Sequence, residues 1–151
     1  MKYFTLKELC LSSTAQAKKI DNTPDSTEAA HIIELIEKLL DPIREKWAAY
    51  CKANNLGTGA ININSGFRCP QLNAAVGGVR NSAHLVGYAA DIKPANGKQL
   101  LFEKWIAAKF AKSGVKFDQI ILERSRYARW VHVAIKNQAG AQRMKCFSLS
   151  V

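Results

Sequence analysis

Apolar residues in the first third of the chain recur at helical spacing. Ile32, Ile36, Leu39, Ile43 and Trp47 lie three or four positions apart, which places them on one helix face. Asp25, followed by Glu28 three residues later, makes a capping box and starts this helix near residue 25. Pro42 directly after Asp41 predicts either a kink or a restart with Asp41 as a new cap. Upstream, residues 3–9 are expected to dock on the domain, with a polar loop following through Asn22, Thr23 and Pro24.

After the turn-rich stretch 54–59 the apolar period shortens to two. Ile61 and Ile63 alternate with Asn62 and Asn64 and read as a short strand with both isoleucines inward. Residues 88–92, 117–123 and 130–135 read as further strands, and 145–149 as an added edge. Between them, residues 98–112 have a helical pattern with Leu101, Trp105 and Ala108 on one face and Gly114 as the stop. Helices and short strands in this order predict an α+β fold, with helices packed on a largely antiparallel sheet. With no internal repeat, low-complexity tract or linker, residues 1–151 are expected to form one domain.

Composition narrows the classes. Hydrophobic residues make up 48% of the 151 positions and charged residues 23%, the balance of a globular chain with a core of its own. The apolar stretches are too short to span a bilayer, and no membrane insertion is expected. The amino terminus carries charge within a few residues and lacks an apolar secretory core, so delivery beyond the cytoplasm would need another route. The four cysteines are scattered without a CxxC pair, which argues against a thiolate metal site and reads as buried free thiols, a late disulfide remaining open. A net charge of +10 calls for an anionic partner, either nucleic acid or a cell envelope bearing teichoic or carboxylate groups. The basic residues form no dense block, which disfavours nucleic acid and leaves an ordinary basic surface as the plain alternative. Oligomeric state leaves no mark in the sequence.

Of the three histidines, His31 falls on the first long helix with no ligand-type partner at helical spacing and reads as structural. His84 lies in a loop that runs into the strand bearing Asp91, whose side chain shares a face with Ala89 while Tyr88, Ala90 and Ile92 face the other way. A carboxylate in that setting is costly unless it is paired or coordinated. His132 is central in an apolar strand, on the face of Trp130 and Ala134. Singly, each histidine is more often structural than a ligand. Together with Asp91 they supply the two imidazoles and one carboxylate of a catalytic metal site, with a fourth position left for water. The same ligand set also serves non-haem iron, so the residues by themselves leave the metal open.

Three ordered motifs extend the pattern: Ser65-Gly66-Phe67-Arg68; Ser82, His84, Gly87, Ala89 and Asp91 in a Ser-x-His-x-x-Gly-x-Ala-x-Asp arrangement; and Trp130-Val131-His132. With them the chain resembles the M15 zinc peptidases, the family of D-alanyl-D-alanine carboxypeptidases and phage endolysins. It is most similar to small single-domain members, and the likeness runs on into Asn22-Thr23-Pro24, residues 40–44 and residues 73–78. The resemblance implies a hedgehog/D-Ala-D-Ala carboxypeptidase-like fold, a Zn2+ cofactor held by His84, Asp91 and His132, and hydrolysis of peptidoglycan stem peptides. Arg68 corresponds to the arginine that receives a substrate carboxylate, a task suited to its planar fork, with a loop salt bridge as the alternative. Ser82 corresponds to a serine that bonds substrate, or fixes the loop that orients His84. The resemblance also implies action on the bacterial cell wall, in host lysis, in a virion or in wall maintenance.

The chain departs from the family at one position. Many members carry an acidic residue three positions before the last histidine, where Arg129 stands here. The nearest upstream carboxylates are Asp118 and Glu123. Glu123 ends a strand whose antiparallel neighbour could bring it beside His132, and it is the expected general base, an exposed ion pair with Arg124 or Arg126 being the alternative. The missing carboxylate at 129 also admits an inactive, zinc-containing wall-recognition module. Whether the bond cut is terminal or internal is left open.

Overall fold

Asp25 and Glu28 cap each other at the start of the longest helical stretch in the computed structural model, which describes residues 1–151. The Glu28 amide donates to Asp25 Oδ1 at 2.7 Å, and the Asp25 amide donates to Glu28 Oε1 at 2.9 Å. The short helices α1 (Leu6–Cys10) and α2 (Ser13–Lys18) precede it. The stretch itself comprises α3 (Ser26–Leu35), a π-helical turn (Ile36–Leu40) and α4 (Asp41–Ala53).

At Pro42, where a kink or a restart is expected, the helix runs on through this π turn. Proline cannot donate to the carbonyl four residues back and its ring crowds it. Widening one turn, with the Asp41 amide bonded to Ile36 O, carries the helix past the obstacle. Asp41 is therefore not a cap. Its carboxylate accepts the backbone amides of Lys2 at 2.8 Å and Tyr3 at 3.2 Å, and this docks the amino terminus as the apolar pattern of residues 3–9 requires.

The sheet contains β1 (Ile61–Ser65), β2 (Ala89–Pro94), β3 (Gln119–Arg124), β4 (Arg129–Ala134) and β5 (Lys145–Ser150) in the order β1-β2-β4-β3-β5. Neighbours are antiparallel except β5, which runs parallel to β3 along the exposed edge. The sheet is thus largely antiparallel and the fold α+β. One face carries Ala90, Ile92, Ile120, Val131 and Val133 into a core shared with Leu35, Leu39, Ile43 and Trp47 of the long helix.

Helix α6 (Gln99–Ala108) covers the same core one position out of the expected phase. Phe102, Trp105 and Ile106 are buried, whereas Leu101 and Ala108 are exposed. The aromatic cluster sets this rotation: the ring centroids of Phe102 and Trp105 lie 5.0 and 5.2 Å from that of Trp47. All four cysteines are free, but only Cys51 is buried; Cys146 is exposed on β5, against the expectation of a buried thiol. No helix is long and apolar enough to cross a membrane.

Candidate metal centre and groove

The opposite face of the sheet carries the chemistry. Antiparallel pairing sets Asp91 of β2 opposite His132 of β4, and His132 opposite Ile121 of β3. A bulge between Ile63 and Ser65 turns Ser65 to the level of Asp91. The long connection from β1 to β2 holds helix α5 (Pro70–Ala75) and the 3-10 turn Ala83–Val86, and the latter places His84 beside the strands.

Asp91 Oδ1 lies 3.4 Å from His84 Nε2 and 3.2 Å from His132 Nδ1. One ligand atom from each of the three side chains lies within 4.8 Å of the others. Tetrahedral ligands about 2.05 Å from a zinc ion are about 3.3 Å apart, so the two carboxylate–imidazole spacings fit such an ion. His84 is oriented for the task. Its Nδ1–H donates to the Gly66 carbonyl at 2.7 Å, which turns Nε2 towards Asp91. Burial raises the Asp91 pKa, but the two imidazoles outweigh it and hold the carboxyl well below its usual range. It is ionised, as a metal ligand must be.

Gly66 has no room for a side chain. A Cβ there would collide with the Leu9 carbonyl, to which the neighbouring Phe67 amide donates at 2.8 Å. Asn22 locks the same junction: its amide donates to Cys10 O and Phe67 O, and its carbonyl accepts from the Cys69 amide. The amino-terminal helices thereby fix the carbonyl that orients His84. Gly87, at φ +87°, brings the end of the His84 turn against α3, where a Cβ would press on Glu28 O. His31 secures that contact, donating from Nδ1 to Val86 O at 2.7 Å and stacking on Tyr88 at 4.0 Å. Its structural role is the one its position suggested; its partners were not foreseeable, because a carbonyl leaves no signature in the sequence.

Arg68 lies against Asp91, its side chain only 14% exposed. Nε donates to Ser65 Oγ, one terminal nitrogen to Asn73 Oδ1 and the other to Asp91 Oδ2 at 3.3 Å. These three bonds commit three of the five guanidinium N–H groups and leave two. Burial lowers its pKa, opposed by the nearby charges of Asp91 and Glu123. Ser82 caps the 3-10 turn, its Oγ accepting from the His84 amide at 3.1 Å.

Glu123 shares the face of His132, one step along the β3–β4 ladder and opposite Trp130. Trp130 Nε1 donates to Glu123 Oε2 at 2.6 Å, so the carboxylate is tied to the indole and not to Arg124 or Arg126. Arg129 is on the other face. Its Nε and a terminal nitrogen clamp Glu103 of α6 at 3.0 and 2.9 Å, so the side chain at 129 points away from the site. Asp118 is likewise committed, to Arg143. A groove of about 350 Å³ runs beside His132 and Glu123, with Ser82, Gln119 and Ile121 in its lining.

A model of the peptidase M15 family matches residues 2–134, most of the chain and all three candidate metal ligands. The chain belongs to the M15 peptidases. As an M15 peptidase it is a peptide-bond hydrolase of the metallopeptidase class, with a His-Asp-His cluster suited to zinc. No curated protein matches it in sequence at a level that narrows the activity further.

Proposed function

We propose that the chain is a zinc-dependent peptidase of bacterial peptidoglycan, cutting stem peptides as a D-Ala carboxypeptidase or as an endopeptidase. The observation that carries the reading is Asp91 Oδ1 set between His84 Nε2 and His132 Nδ1, with a carboxylate on the same sheet face at Glu123. His84, Asp91 and His132 would hold the metal. Zinc, when bound, supplies a Lewis acid for the scissile carbonyl and acidifies water. Glu123 takes the proton from the attacking water and returns it to the leaving amine, held in place by the Trp130 indole. Arg68 braces the Asp91 carboxylate in position, and offers its two remaining N–H groups to the substrate. Ser82 orients His84 and presents its hydroxyl proton to the groove. The net charge of +10 favours an anionic wall as the place of action and weakens binding at high salt.

The test is mass spectrometry of purified peptidoglycan after incubation with zinc-loaded protein, with His84→Ala alongside. Stem-peptide fragments made only by the unaltered protein are expected, and their masses identify the bond. No cleavage across several wall types, with one zinc bound per chain, would replace the enzyme by a recognition module.

A further inference from the structure

The groove beside His132 has two walls of different origin. Ser82, Gln119, Ile121 and Glu123 belong to the part of the chain that the family model covers; Asn137, Arg143 and Leu149 lie beyond its end at residue 134. Arg143 is the one cation among the groove-lining residues. It grips Asp118 from above: Nε donates to Oδ1 at 2.7 Å, a terminal nitrogen to Oδ2 at 2.8 Å, and the backbone amide to Oδ1 at 3.0 Å.

The two members of this pair are unequally placed. The Asp118 side chain is 1% exposed, sealed beneath its partner, while that of Arg143 is 39% exposed along the groove. The pair therefore presents its positive member to whatever enters. Two guanidinium contacts go to Asp118, leaving three of five N–H groups free. By comparison, Arg68 is nearly buried, and one of its bonds braces Asp91. Lys145, at the start of β5 opposite Gln119, adds a second positive charge to the same end.

We infer that Arg143 is a specificity-determining residue: the segment beyond residue 134 forms a receptor for a carboxylate of the peptide substrate, with Arg143 as its donor. This rests on the peptidase reading above and adds to it a second arginine, outside the family-matched segment, that selects peptides bearing a free carboxylate within reach of the scissile bond. The carboxylate is either the chain terminus or an acidic side chain, and both present the same planar acceptor to the guanidinium.

The test uses a non-cleavable stem-peptide analogue in which a methylene-amine link replaces the scissile amide. It is made in three forms: both carboxylates free, the terminal one amidated, or the side-chain one amidated. Binding to zinc-loaded protein is measured by calorimetry. One amidated form is expected to bind about tenfold more weakly than the free form, and its identity distinguishes terminal from side-chain recognition. In Arg143→Gln the difference should fall below about twofold, and Arg143→Lys should restore part of it. Equal binding of all three forms to the unaltered protein, or a preference that persists in Arg143→Gln, would overturn the inference. So would a lowered melting temperature in Arg143→Gln that Arg143→Lys repairs without restoring the preference, since Arg143 would then be only a clamp for β5. If the carboxylate preference holds but the corresponding amide peptides are never cut, the peptidase reading fails and the receptor stands.

Discussion

Trp130 donates its indole N–H to Glu123 at 2.6 Å, across the β3–β4 pair that also carries His132. The contact gives the Trp-x-His motif a physical meaning, with the histidine facing Asp91 and the tryptophan aiming a carboxylate beside it. So short a bond to a carboxyl oxygen is among the stronger hydrogen bonds and restricts the glutamate to one position. Glu123→Gln should lower turnover by about 10²–10⁴ while zinc still binds at one per chain. Trp130→Phe keeps the ring and removes the donor, and should cost about tenfold. Steady-state rates on a cleaved wall peptide, with zinc counted by mass spectrometry of the intact protein, check both. Undiminished turnover in Glu123→Gln would remove it from the role of base.

Gly66 couples the amino terminus to the metal centre. Its carbonyl accepts from His84 Nδ1, and a Cβ on it would collide with the Leu9 carbonyl. Gly66→Ala must move either the carbonyl or α1. The expected result is zinc binding about 10–100-fold weaker, the usual cost of losing a partner that orients a ligand. A stability loss of about 1–3 kcal/mol from overpacking should accompany it. Chelator competition and thermal melting measure the two effects separately. Unchanged zinc affinity would show that this carbonyl does not govern the ligand.

Much of the layout was legible in the chain because it rests on side-chain identity and period. The Asp25–Glu28 box, the alternation that sends Asp91 and His132 to one face, and the edge position of β5 all follow from residue type and spacing. What was not legible depends on partners that carry no side-chain signal. Helices α1, α2 and α5 span five or six residues, too few to display a period. The oriented carbonyls of Gly66 and Val86 could not be read from residue identity. The phase of α6 is ambiguous in the sequence because Trp105 lies at helical spacing from Leu101 and Ala108 as well as from Phe102, and only the second set is on the buried face. The π turn before Pro42 leaves no signature of its own, because a kink, a restart and a widened turn all answer the same lost hydrogen bond.

Arg129 holds the position where many M15 peptidases have an acidic residue, yet it belongs to the helix side of the sheet. Its guanidinium and the Gln99 amide satisfy the buried Glu103 carboxylate. Burial raises the Glu103 pKa, and these bonds outweigh it, so the folded value lies below the ordinary 4.5. A depressed carboxylate stabilises the fold fully above 4.5 and loses that contribution as pH falls through its folded value. Arg129→Ala should therefore lower the urea midpoint at neutral pH, with the gap to the unaltered protein narrowing in acid. Turnover should stay within about twofold of the unaltered protein, as expected of a residue outside the site. A large loss of turnover with an unchanged midpoint would place Arg129 in the chemistry.

Zinc removal separates the fold from the site. The buried apolar cluster lies on the helix side, while the three candidate ligands are on the opposite face or in the loop above it. Without an ion, Asp91 still has Arg68 at 3.3 Å as a counter-charge. The chelated protein should stay folded, with native circular dichroism and no turnover, and one equivalent of zinc should restore activity. Zinc at a hundredfold excess over Kd adds about 2.7 kcal/mol. For a chain of this size that raises Tm by about 5–10 °C. His84→Ala should abolish the zinc-dependent rise and melt near the chelated baseline. If the chelated protein is unfolded, the metal is part of the core and the division between the two faces fails. If zinc leaves Tm unchanged, the three side chains do not form the site.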